Sequence, residues 1–307
     1  MSDEPSDVLI VGSGPAGLQA AIHAVRKKVT VTVLGKPQRS SIYRAHVENY
    51  LGVAGVSLGS ELLEIGLEQV RGFGVEVIEA DLLNIEEEEG AVFKAHIEDG
   101  RDLRARSVIF ATGTSRKKLK VKGEKELIGK GVSYCVDCDA NFYRNARVAV
   151  VGNLSAAVDG AITLTRYASE VHLVASQLEV SEQLRAELDK SPVQLHEGVW
   201  VREIGGEQGV EALLLDNEQS LAVDGVFIEL GAKGPMELAT VLGVALDSET
   251  FSYIATNKQQ ETNIAGVYAA GDIAGPPWQM AKAVGEGCVA GWEAANYAQS
   301  QKRAARE

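Results

Sequence analysis

The sequence has 307 residues, of which 45% are hydrophobic, and its formal net charge is −13. This length and apolar content suit two folded domains and exclude a disordered, collagen-like or coiled-coil chain. The acidic balance argues against general binding to nucleic acid or to an anionic membrane, and no stretch reaches the roughly 20 apolar residues of a membrane span. The acidic start, MSDEPSDVLIV, is unlike a signal peptide, so we expect a cytoplasmic protein.

The chain contains the same local pattern twice. Residues 7–17, DVLIVGSGPAG, and residues 147–157, RVAVVGNLSAA, each join a β-branched run to a glycine turn and an amphipathic helix. A second β-branched run follows each helix, VTVTVL in the first copy and EVHLVA in the second. The sequence therefore predicts two βαβ units, each in a parallel sheet with a ligand crevice at the strand ends.

The first glycine loop, GSGPAG at 12–17, has the spacing and the context of a dinucleotide site. Gly12 permits the tight turn, and Gly14 lets the backbone approach a pyrophosphate at the helix N-terminus. Gly17 lets helix and strand pack closely. The acidic residue that usually ends the next strand is missing, because that strand ends at Gly35, so the ribose contact must come from elsewhere.

Runs at strand spacing fill the interval between the two units. Three of them, VEVIEADLLNI, AVFKAHIED and LRARSVIFATG, predict an antiparallel meander packed on the first unit. We interpret the run Glu86–Glu89 as a solvated turn.

The second unit is followed by QLHEGVWVREI, VEALLLDN and LAVDGVFIEL, which predict another short meander. IAGVYAAGD at 264–272 predicts a buried strand that ends in a turn. An amphipathic helix is expected over roughly residues 279–297, followed by a polar tail.

The three cysteines are Cys135, Cys138 and Cys288, too few and too odd a number for a disulfide framework. The spacing Cys135-Val136-Asp137-Cys138 brings two sulfurs into disulfide reach at a helix start, where the local dipole favours a thiolate. Half of a zinc site is the main alternative, but no second CxxC or HxxxH supplies further ligands, and we expect no metal. A redox pair is therefore preferred, and Cys288 is interpreted as buried and unreactive.

Six segments resemble, in their order, those of the low-molecular-weight thioredoxin reductases: GSGPAG, VENYLG, ATG, CVDCDANFY, AAGDI and WQMAKAVGEGCVAG. The match covers nearly the whole chain. It implies an α/β fold of two Rossmann-like three-layer ββα domains, of which the FAD domain is discontinuous and comprises residues 1–115 and 237–307. A smaller, nicotinamide-domain-like domain that carries the CxxC is inserted at 116–236. The resemblance also implies a homodimer and a thioredoxin-like protein substrate.

By this resemblance the cofactor is FAD, with its pyrophosphate on the first glycine loop. The residues expected to bind it are Gly12, Ser13, Gly14, Pro15, Ala16, Gly17, Asn49, Thr112, Gly113, Gly271, Asp272, Gln279, Met280 and Ala281. Asp272 is expected to hold the ribityl chain, and residues 279–281 to approach the isoalloxazine. Each residue also has a plainer interpretation; Asp272, for instance, could be only a turn residue.

The resemblance also assigns roles at the cysteine pair. Cys138 is expected to make the charge-transfer contact with the flavin, and Cys135 to attack the disulfide of the protein substrate. Asp139 is expected to relay a proton, with a solvated turn residue as the alternative.

The second glycine loop departs from the family pattern. It reads GNLSAA at 152–157, so Leu154 stands where a pyrophosphate needs a glycine. Family members that use NADPH have HRR and a further arginine at the end of the next strand, whereas this chain has ASQLEVS at 175–181. We therefore expect the nicotinamide site to be lost; a divergent nicotinamide site is the alternative.

Electrons then need another source. The sequence resembles a pyridine-nucleotide-independent branch that uses ferredoxin, and related flavoproteins carry a second flavin in the vacated site. Tyr43 or Trp278 could cover the open flavin face, or both could be packing residues. An acidic ferredoxin needs local positive charge. The residues that could supply it, unless they form only a solvated linker strand, are Arg39, Arg44, Arg116, Lys117, Lys118, Lys120 and Lys122.

These observations predict an FAD-dependent disulfide oxidoreductase that does not use NADPH. Electrons pass from an external donor through FAD to the Cys135–Cys138 pair and then to a thioredoxin-like disulfide. Another protein substrate, or flow toward oxidation, stays open within this class. A non-catalytic flavin-binding sensor or scaffold is the alternative from another class, and the retained thiols argue against it.

Overall fold

The computed structural model describes residues 4–113, 118–230, 237, 241–249 and 251–305. The chain forms two compact units. Unit 1 comprises Met1–Ile97, Arg101–Thr114 and Val241–Glu307, and unit 2 comprises Glu98–Gly100 and Ser115–Thr240. The domain boundaries predicted at 115/116 and 236/237 fall on, or next to, residues outside the described part, so they stay predictions.

Unit 1 is built on a sheet with seven described strands. The strands of unit 1 are β1 (Ser6–Val11), β2 (Val31–Leu34), β3 (His46–Val47), β4 (Ser57–Leu58), β5 (Glu76–Ile78), β6 (Leu82–Glu88), β7 (Val92–Ile97), β8 (Asp102–Phe110) and β17 (Val267–Ala269). The main sheet runs β5-β2-β1-β8-β7-β6, with β17 also paired to β8, while β3 and β4 form a separate pair. Strands β5, β2, β1, β8 and β17 are parallel, so their carboxyl ends meet at one edge.

The helices of unit 1 are α1 (Pro15–Val25), α2 (Gly59–Gly72) and α6 (Met280–Ala304), with short 3₁₀ helices at Pro37–Arg39 and Asp272–Ala274. Helices α1 and α6 approach each other through glycines. A Cβ on Gly287 would lie 2.2 Å from the carbonyl oxygen of Ala16, and one on Gly291 would lie 2.2 Å from that of Ala20. The small residues of α6 therefore let this helix lie directly on α1, whose apolar face covers the parallel strands.

Unit 2 is a smaller α/β unit. Its strands are β9 (Val132–Ser133), β10 (Arg147–Val151), β11 (Glu170–Ala175), β12 (Gln194–Glu197), β13 (Val201–Gly205), β14 (Ala212–Leu215), β15 (Ser220–Ala222) and β16 (Gly225–Ile228). Its described helices are α3 (Val136–Asp139), α4 (Ser155–Leu164) and α5 (Glu182–Lys190), with a 3₁₀ turn at Ala140–Tyr143. A parallel sheet runs β12-β11-β10-β16-β9, and β13-β14-β15 form an antiparallel sheet.

Both predicted βαβ units are confirmed. Strands β1 and β2 pair in parallel around α1, and β10 and β11 pair in parallel around α4. The predicted strand before residue 270 is also present as the buried β17.

The two predicted meanders are wrong in their placement. Strand β8 pairs with β1 in parallel and with β7 in antiparallel fashion, so the first meander extends the main sheet instead of packing on it. Strand β5 lies at the opposite edge, beside β2. In unit 2, β12 and β16 likewise join the parallel sheet, and only β13–β15 form a meander. Strand β16 is buried along its whole length, which is typical of a parallel strand covered on both faces.

Two element boundaries also differ from the sequence prediction. Glu86–Glu88 belong to β6 and pair with β7, so the solvated turn begins only after them. Helix α6 continues to Ala304, through the segment expected to be a polar tail. Its last turn is held because Lys302 pairs with Asp7, 2.7 Å away and fully buried. Within the described residues, no helix is long and apolar enough to cross a membrane.

Candidate functional site

The first glycine loop joins β1 to α1, with Gly14 at the N-cap position and Pro15 opening the helix. Gly12 has φ of 119°, and a Cβ there would lie 2.2 Å from the carbonyl oxygen of Ala111. A Cβ on Gly17 would lie 1.8 Å from the carbonyl oxygen of Gly12. The turn therefore requires these glycines. Because Gly14 has no side chain to cap α1, the first N–H groups of the helix are free to bind an anion.

Other segments predicted to bind FAD converge on this loop. Thr112 follows β8, and its backbone nitrogen would lie 3.0 Å from a Cβ on Gly12. A Cβ on Gly271 would lie 2.9 Å from that of Ala16. The hydroxyl oxygen of Thr112 is buried and has no hydrogen-bond partner among the described residues. A hydroxyl or phosphate of a bound ligand would satisfy it.

The remaining loop positions are compatible with this arrangement. Ser13, the second residue of the loop, is buried. Gly113 has φ of 74°, a conformation that favours glycine, and a Cβ there would meet open space.

Asn49 and Gln279, far apart in sequence, lie together. The side-chain amide of Asn49 donates a hydrogen bond of 3.0 Å to the side-chain oxygen of Gln279. Gln279 is the N-cap residue of α6, so Met280 and Ala281 form the first turn directly behind it. The structure thus places Asn49, which was predicted to lie near the flavin, beside the first of the residues 279–281 that were predicted to approach the isoalloxazine.

Sequence reasoning missed the residues that hold the backbone of Gly271, directly before Asp272. Glu286 accepts a hydrogen bond of 2.9 Å from the backbone N–H of Gly271, and the ammonium of Lys282 donates to the carbonyl of Gly271 at 2.7 Å. Lys282 and Glu286 also pair at 2.8 Å as an i,i+4 pair on α6. Burial raises the pKa of Asp272, and nearby Glu286 acts in the same direction while Lys282 opposes it.

The two candidate aromatic residues differ in exposure. Tyr43 packs against the core under α1, whereas Trp278 is 60% exposed. Trp278 is therefore the one with a free face.

Cys135 and Cys138 form a disulfide in unit 2. Cys135 is the N-cap residue of α3, and its sulfur accepts a hydrogen bond of 3.1 Å from the backbone N–H of Cys138. Cys135 is 5% exposed, while Cys138 is half-buried. Cys288 is a free, partly buried thiol. No group of metal ligands is present among the described residues.

Two polar side chains next to this disulfide were not singled out from the sequence. The hydroxyl of Ser133 lies 2.6 Å from the carboxylate of Asp139. The carboxylate of Glu229, which follows β16, accepts a hydrogen bond of 3.2 Å from the backbone N–H of Val136. Neither residue belongs to a recognisable motif. Ser133 is two residues from Cys135 in the sequence, whereas only the chain's folding brings Glu229 here.

The second glycine loop has the same backbone role as the first but different side chains. Leu154 is the N-cap residue of α4, the position of Gly14 in α1, and it is buried. The hydroxyl of Ser155, the first residue of α4, donates to the carboxylate of Glu98. Glu98 is itself 3% exposed. Its backbone carbonyl accepts a hydrogen bond of 2.5 Å from the hydroxyl of Ser181.

Acidic side chains also surround the segment after β11. Glu197 accepts a hydrogen bond of 3.0 Å from the backbone N–H of Leu178, and this bond together with Arg185 holds its pKa below the ordinary range. Arg185 is paired with Glu197 at 3.0 Å and with Asp189 at 3.2 Å. Asn153 of the glycine loop contacts Glu179 through a side-chain hydrogen bond of 3.4 Å.

Some of the basic residues predicted to attract an acidic partner are already paired with acidic side chains. Arg116 and Lys117 lie outside the described residues. Lys122 pairs with Glu203 at 2.7 Å, and Arg39 pairs with Asp81. The exposed cations that remain in this set are Arg44, Lys118 and Lys120.

Comparisons with known proteins agree with this geometry. A family model described as pyridine nucleotide-disulphide oxidoreductase matches residues 6–301. The chain is 34% identical over 310 residues to a thioredoxin reductase of Listeria innocua, which covers 97% of this chain and 95% of that protein.

Two solved structures are similar over nearly the whole chain. The atypical thioredoxin reductase TRi from Desulfovibrio vulgaris Hildenborough has a TM-score of 0.83 at 30% identity, covering 96% of this chain and 98% of its own. A ferredoxin-flavin thioredoxin reductase from Clostridium acetobutylicum has a TM-score of 0.70 at 32% identity, covering 96% and 99%. Together with the two glycine loops and the disulfide, these matches show that the chain belongs to the pyridine nucleotide-disulphide oxidoreductase family, as a flavoprotein of the low-molecular-weight thioredoxin reductase type.

Proposed function

We propose that this chain is an FAD-dependent disulfide oxidoreductase whose electron donor is not NADPH. The donor that we favour is a ferredoxin, and the electron acceptor is a thioredoxin-like protein disulfide reduced through Cys135 and Cys138. The observation that carries the exclusion of NADPH is the hydrogen bond from Ser155 to the buried carboxylate of Glu98 at the start of α4.

The start of a βαβ helix is where a dinucleotide places its pyrophosphate, because unpaired N–H groups and the helix dipole favour an anion there. In α4 a carboxylate of the chain already lies at this position. The Leu154 side chain occupies the place where the first loop has the hydrogen of Gly14. A nicotinamide dinucleotide would have to displace Glu98 and clash with Leu154.

The segment after β11 adds an electrostatic reason. A 2′-phosphate needs cations, yet Glu179 and Glu197 lie here and Arg185 is already paired. Glu197 is ionised at neutral pH and already balances the charge of Arg185, so this pair leaves no positive charge for a phosphate. These two features support loss of NADPH binding independently of each other.

The residues of unit 1 fit FAD. The uncapped start of α1 suits the pyrophosphate, and the unpartnered hydroxyl of Thr112 suits a polar ligand atom. Asp272 directly follows Gly271, whose backbone is held by Lys282 and Glu286, and its carboxyl group suits a ribityl hydroxyl. When bound, FAD supplies two-electron redox chemistry.

The chain's own part in the reaction is thiol–disulfide exchange. We assign Cys138 to the flavin side and Cys135 to the substrate side. The Cys135 thiolate attacks the substrate disulfide, which forms a mixed disulfide and releases one substrate thiolate. Cys138 then attacks Cys135, which re-forms the internal disulfide and releases the second substrate thiolate. The two electrons lost by the pair are gained by the substrate, and Asp139 transfers a proton to or from the departing sulfur.

Two further features of the proposal concern partners. A relative named ferredoxin-flavin thioredoxin reductase supports a ferredoxin donor, and the exposed Arg44, Lys118 and Lys120 offer positive charge to an acidic protein. A second flavin is the other candidate mediator, favoured by the exposed face of Trp278. We expect the working form to be a homodimer.

The exchange reaction is tested with FAD-loaded protein reduced by dithionite under anaerobic conditions and mixed with oxidised thioredoxin. We expect the oxidised flavin spectrum to return in the wild type and in Cys288→Ser, which keeps the redox pair. Cys135→Ser and Cys138→Ser should both abolish the return. Transfer that survives in either cysteine variant would show that the assigned roles are wrong.

A further inference from the structure

We propose that Ser133 is a positioning residue for Asp139, and that its hydroxyl holds the Asp139 carboxyl group in both protonation states. The proposal rests on the role assigned above to Asp139. It arises from three contacts of one hydroxyl, which lies on β9 directly before the redox-active segment.

The Ser133 hydroxyl connects the first cysteine to the acid. Its oxygen accepts a hydrogen bond of 3.1 Å from the backbone N–H of Cys135. It lies 2.6 Å from the Asp139 carboxylate and 3.3 Å from the carbonyl oxygen of Cys135. Ser133 is 5% exposed, so water does not compete freely for these contacts.

A hydroxyl has one hydrogen and therefore donates to one acceptor at a time. When Asp139 is ionised, Ser133 donates its hydrogen to the Asp139 carboxylate. Hydrogen bonds to a charged oxygen are shorter and stronger, which agrees with the distance of 2.6 Å. When Asp139 is protonated, its own hydrogen can be donated to the Ser133 oxygen. The Ser133 hydrogen then turns to the carbonyl of Cys135, which already lies within reach.

An acid that gives up and regains a proton needs this property. An N–H group donates but cannot accept. A carboxyl oxygen held only by an N–H therefore loses that hydrogen bond if it becomes protonated, or its protonation is disfavoured. A hydroxyl both donates and accepts, so Asp139 keeps one partner and one orientation through the cycle. The backbone N–H of Cys135 fixes the oxygen while the hydrogen changes direction.

A double-mutant cycle separates positioning from structure. The rate measured is the return of the oxidised flavin spectrum when dithionite-reduced, FAD-loaded protein is mixed anaerobically with oxidised thioredoxin. We expect Asp139→Asn to slow it by about 100-fold and Ser133→Ala by about 10-fold, the effect of one lost hydrogen bond to a charge. The double variant should be no slower than Asp139→Asn alone. Ser133→Thr, which keeps the hydroxyl, should restore most of the rate.

The matched control is Ser191→Ala in the same unit. Ser191 also accepts from the backbone N–H two residues ahead, at 3.3 Å, and donates to a backbone carbonyl at 2.7 Å. It should leave the rate unchanged. Losses from Ser133→Ala and Asp139→Asn that multiply in the double variant overturn the role of Ser133. An unchanged rate in Asp139→Asn overturns the role of Asp139 itself, and with it this inference, whereas failure of both cysteine variants to stop transfer would reject the wider function.

Discussion

The side-chain amide of Asn49 donates a hydrogen bond of 3.0 Å to Gln279, 230 positions away in the chain. The bond joins the segment after β3 to the N-cap residue of α6. It therefore fixes the start of the helix whose first turn is assigned to the flavin.

The contact predicts an effect on cofactor binding. Gln279→Leu removes the acceptor for Asn49, so we expect FAD to bind the apoprotein about five- to tenfold more weakly, as for one lost hydrogen bond. Titration of apoprotein with FAD, followed by flavin fluorescence, measures this. Gln299→Leu is the control, because Gln299 lies near the other end of the same helix and its side-chain amide donates to the carbonyl oxygen of Lys27 at 2.7 Å. Equal losses in both variants would contradict the assignment of Gln279 to the flavin end.

Asp272 predicts a pH dependence of stability. Burial raises its pKa above 3.8, so the folded protein binds a proton that the unfolded chain has already lost. The contribution of Asp272 to the free energy of unfolding is therefore most favourable below the pKa of the unfolded chain. It falls as the pH rises through the raised native pKa. Asp272→Asn removes this dependence. Urea unfolding of the apoproteins should show the variant gaining stability relative to wild type between pH 4 and pH 7, while its affinity for FAD falls.

A variant whose relative stability does not change over that range would show that Asp272 carries no burial cost. An unchanged FAD affinity would show, separately, that it does not hold the ribityl chain.

Glu229 predicts the reactivity of Cys135. Its carboxylate accepts from the backbone N–H of Val136, one residue after Cys135, and so places negative charge beside the exchanging sulfur. Glu229→Gln keeps an acceptor and removes the charge, which should enlarge the thiolate fraction at neutral pH. In a Cys138→Ser background, we expect alkylation of Cys135 by iodoacetamide at pH 7 to be about two- to tenfold faster, as judged by mass spectrometry. Glu218→Gln, which removes the same charge at an exposed turn of the same unit, is the control and should leave the alkylation rate unchanged. A rate for Glu229→Gln that is equal to or slower than that of the Cys138→Ser parent would contradict this account.

The end of α6 predicts a stability effect remote from both sites. Lys302 pairs with fully buried Asp7, which also contacts Arg106 at 3.3 Å. Lys302→Ala should lower the free energy of unfolding by about 1–3 kcal/mol, because a buried carboxylate loses one of its partners. Arg303→Ala, which alters an exposed neighbour, should have no measurable effect in the same urea titration. A loss that is equal in the two variants would mean that the ion pair does not hold the helix.

Patterns within short stretches of sequence were sufficient to predict those elements of the fold that form between neighbouring segments. The two βαβ units, the buried strand β17 and the start of α6 follow from periodicity and glycine spacing. The partners of β5, β8, β12 and β16 did not follow, since strand order depends on contacts between distant segments. Contacts between distant segments also decide where α6 ends. Its last turn has the polar sequence of a tail, but Lys302 in this turn pairs with Asp7.

The candidate sites divide in the same way. Gly12, Gly14 and the cysteine pair are recognisable because their chemistry requires fixed spacing. Leu154 was recognisable as a break in that spacing. Glu98 was not, because nothing in its local sequence indicates that it lies beside Ser155 at the start of α4.

The central claim is that electrons reach this protein without NADPH. Its most direct test is anaerobic reduction of the FAD-loaded protein by NADPH, by NADH and by reduced ferredoxin, followed as loss of flavin absorbance, with an NADPH-dependent thioredoxin reductase as the positive control. We expect reduced ferredoxin to bleach the flavin within the time of a catalytic turnover, while both nicotinamide nucleotides leave it oxidised. Rapid bleaching by NADPH, at the rate of the control enzyme, would contradict the account.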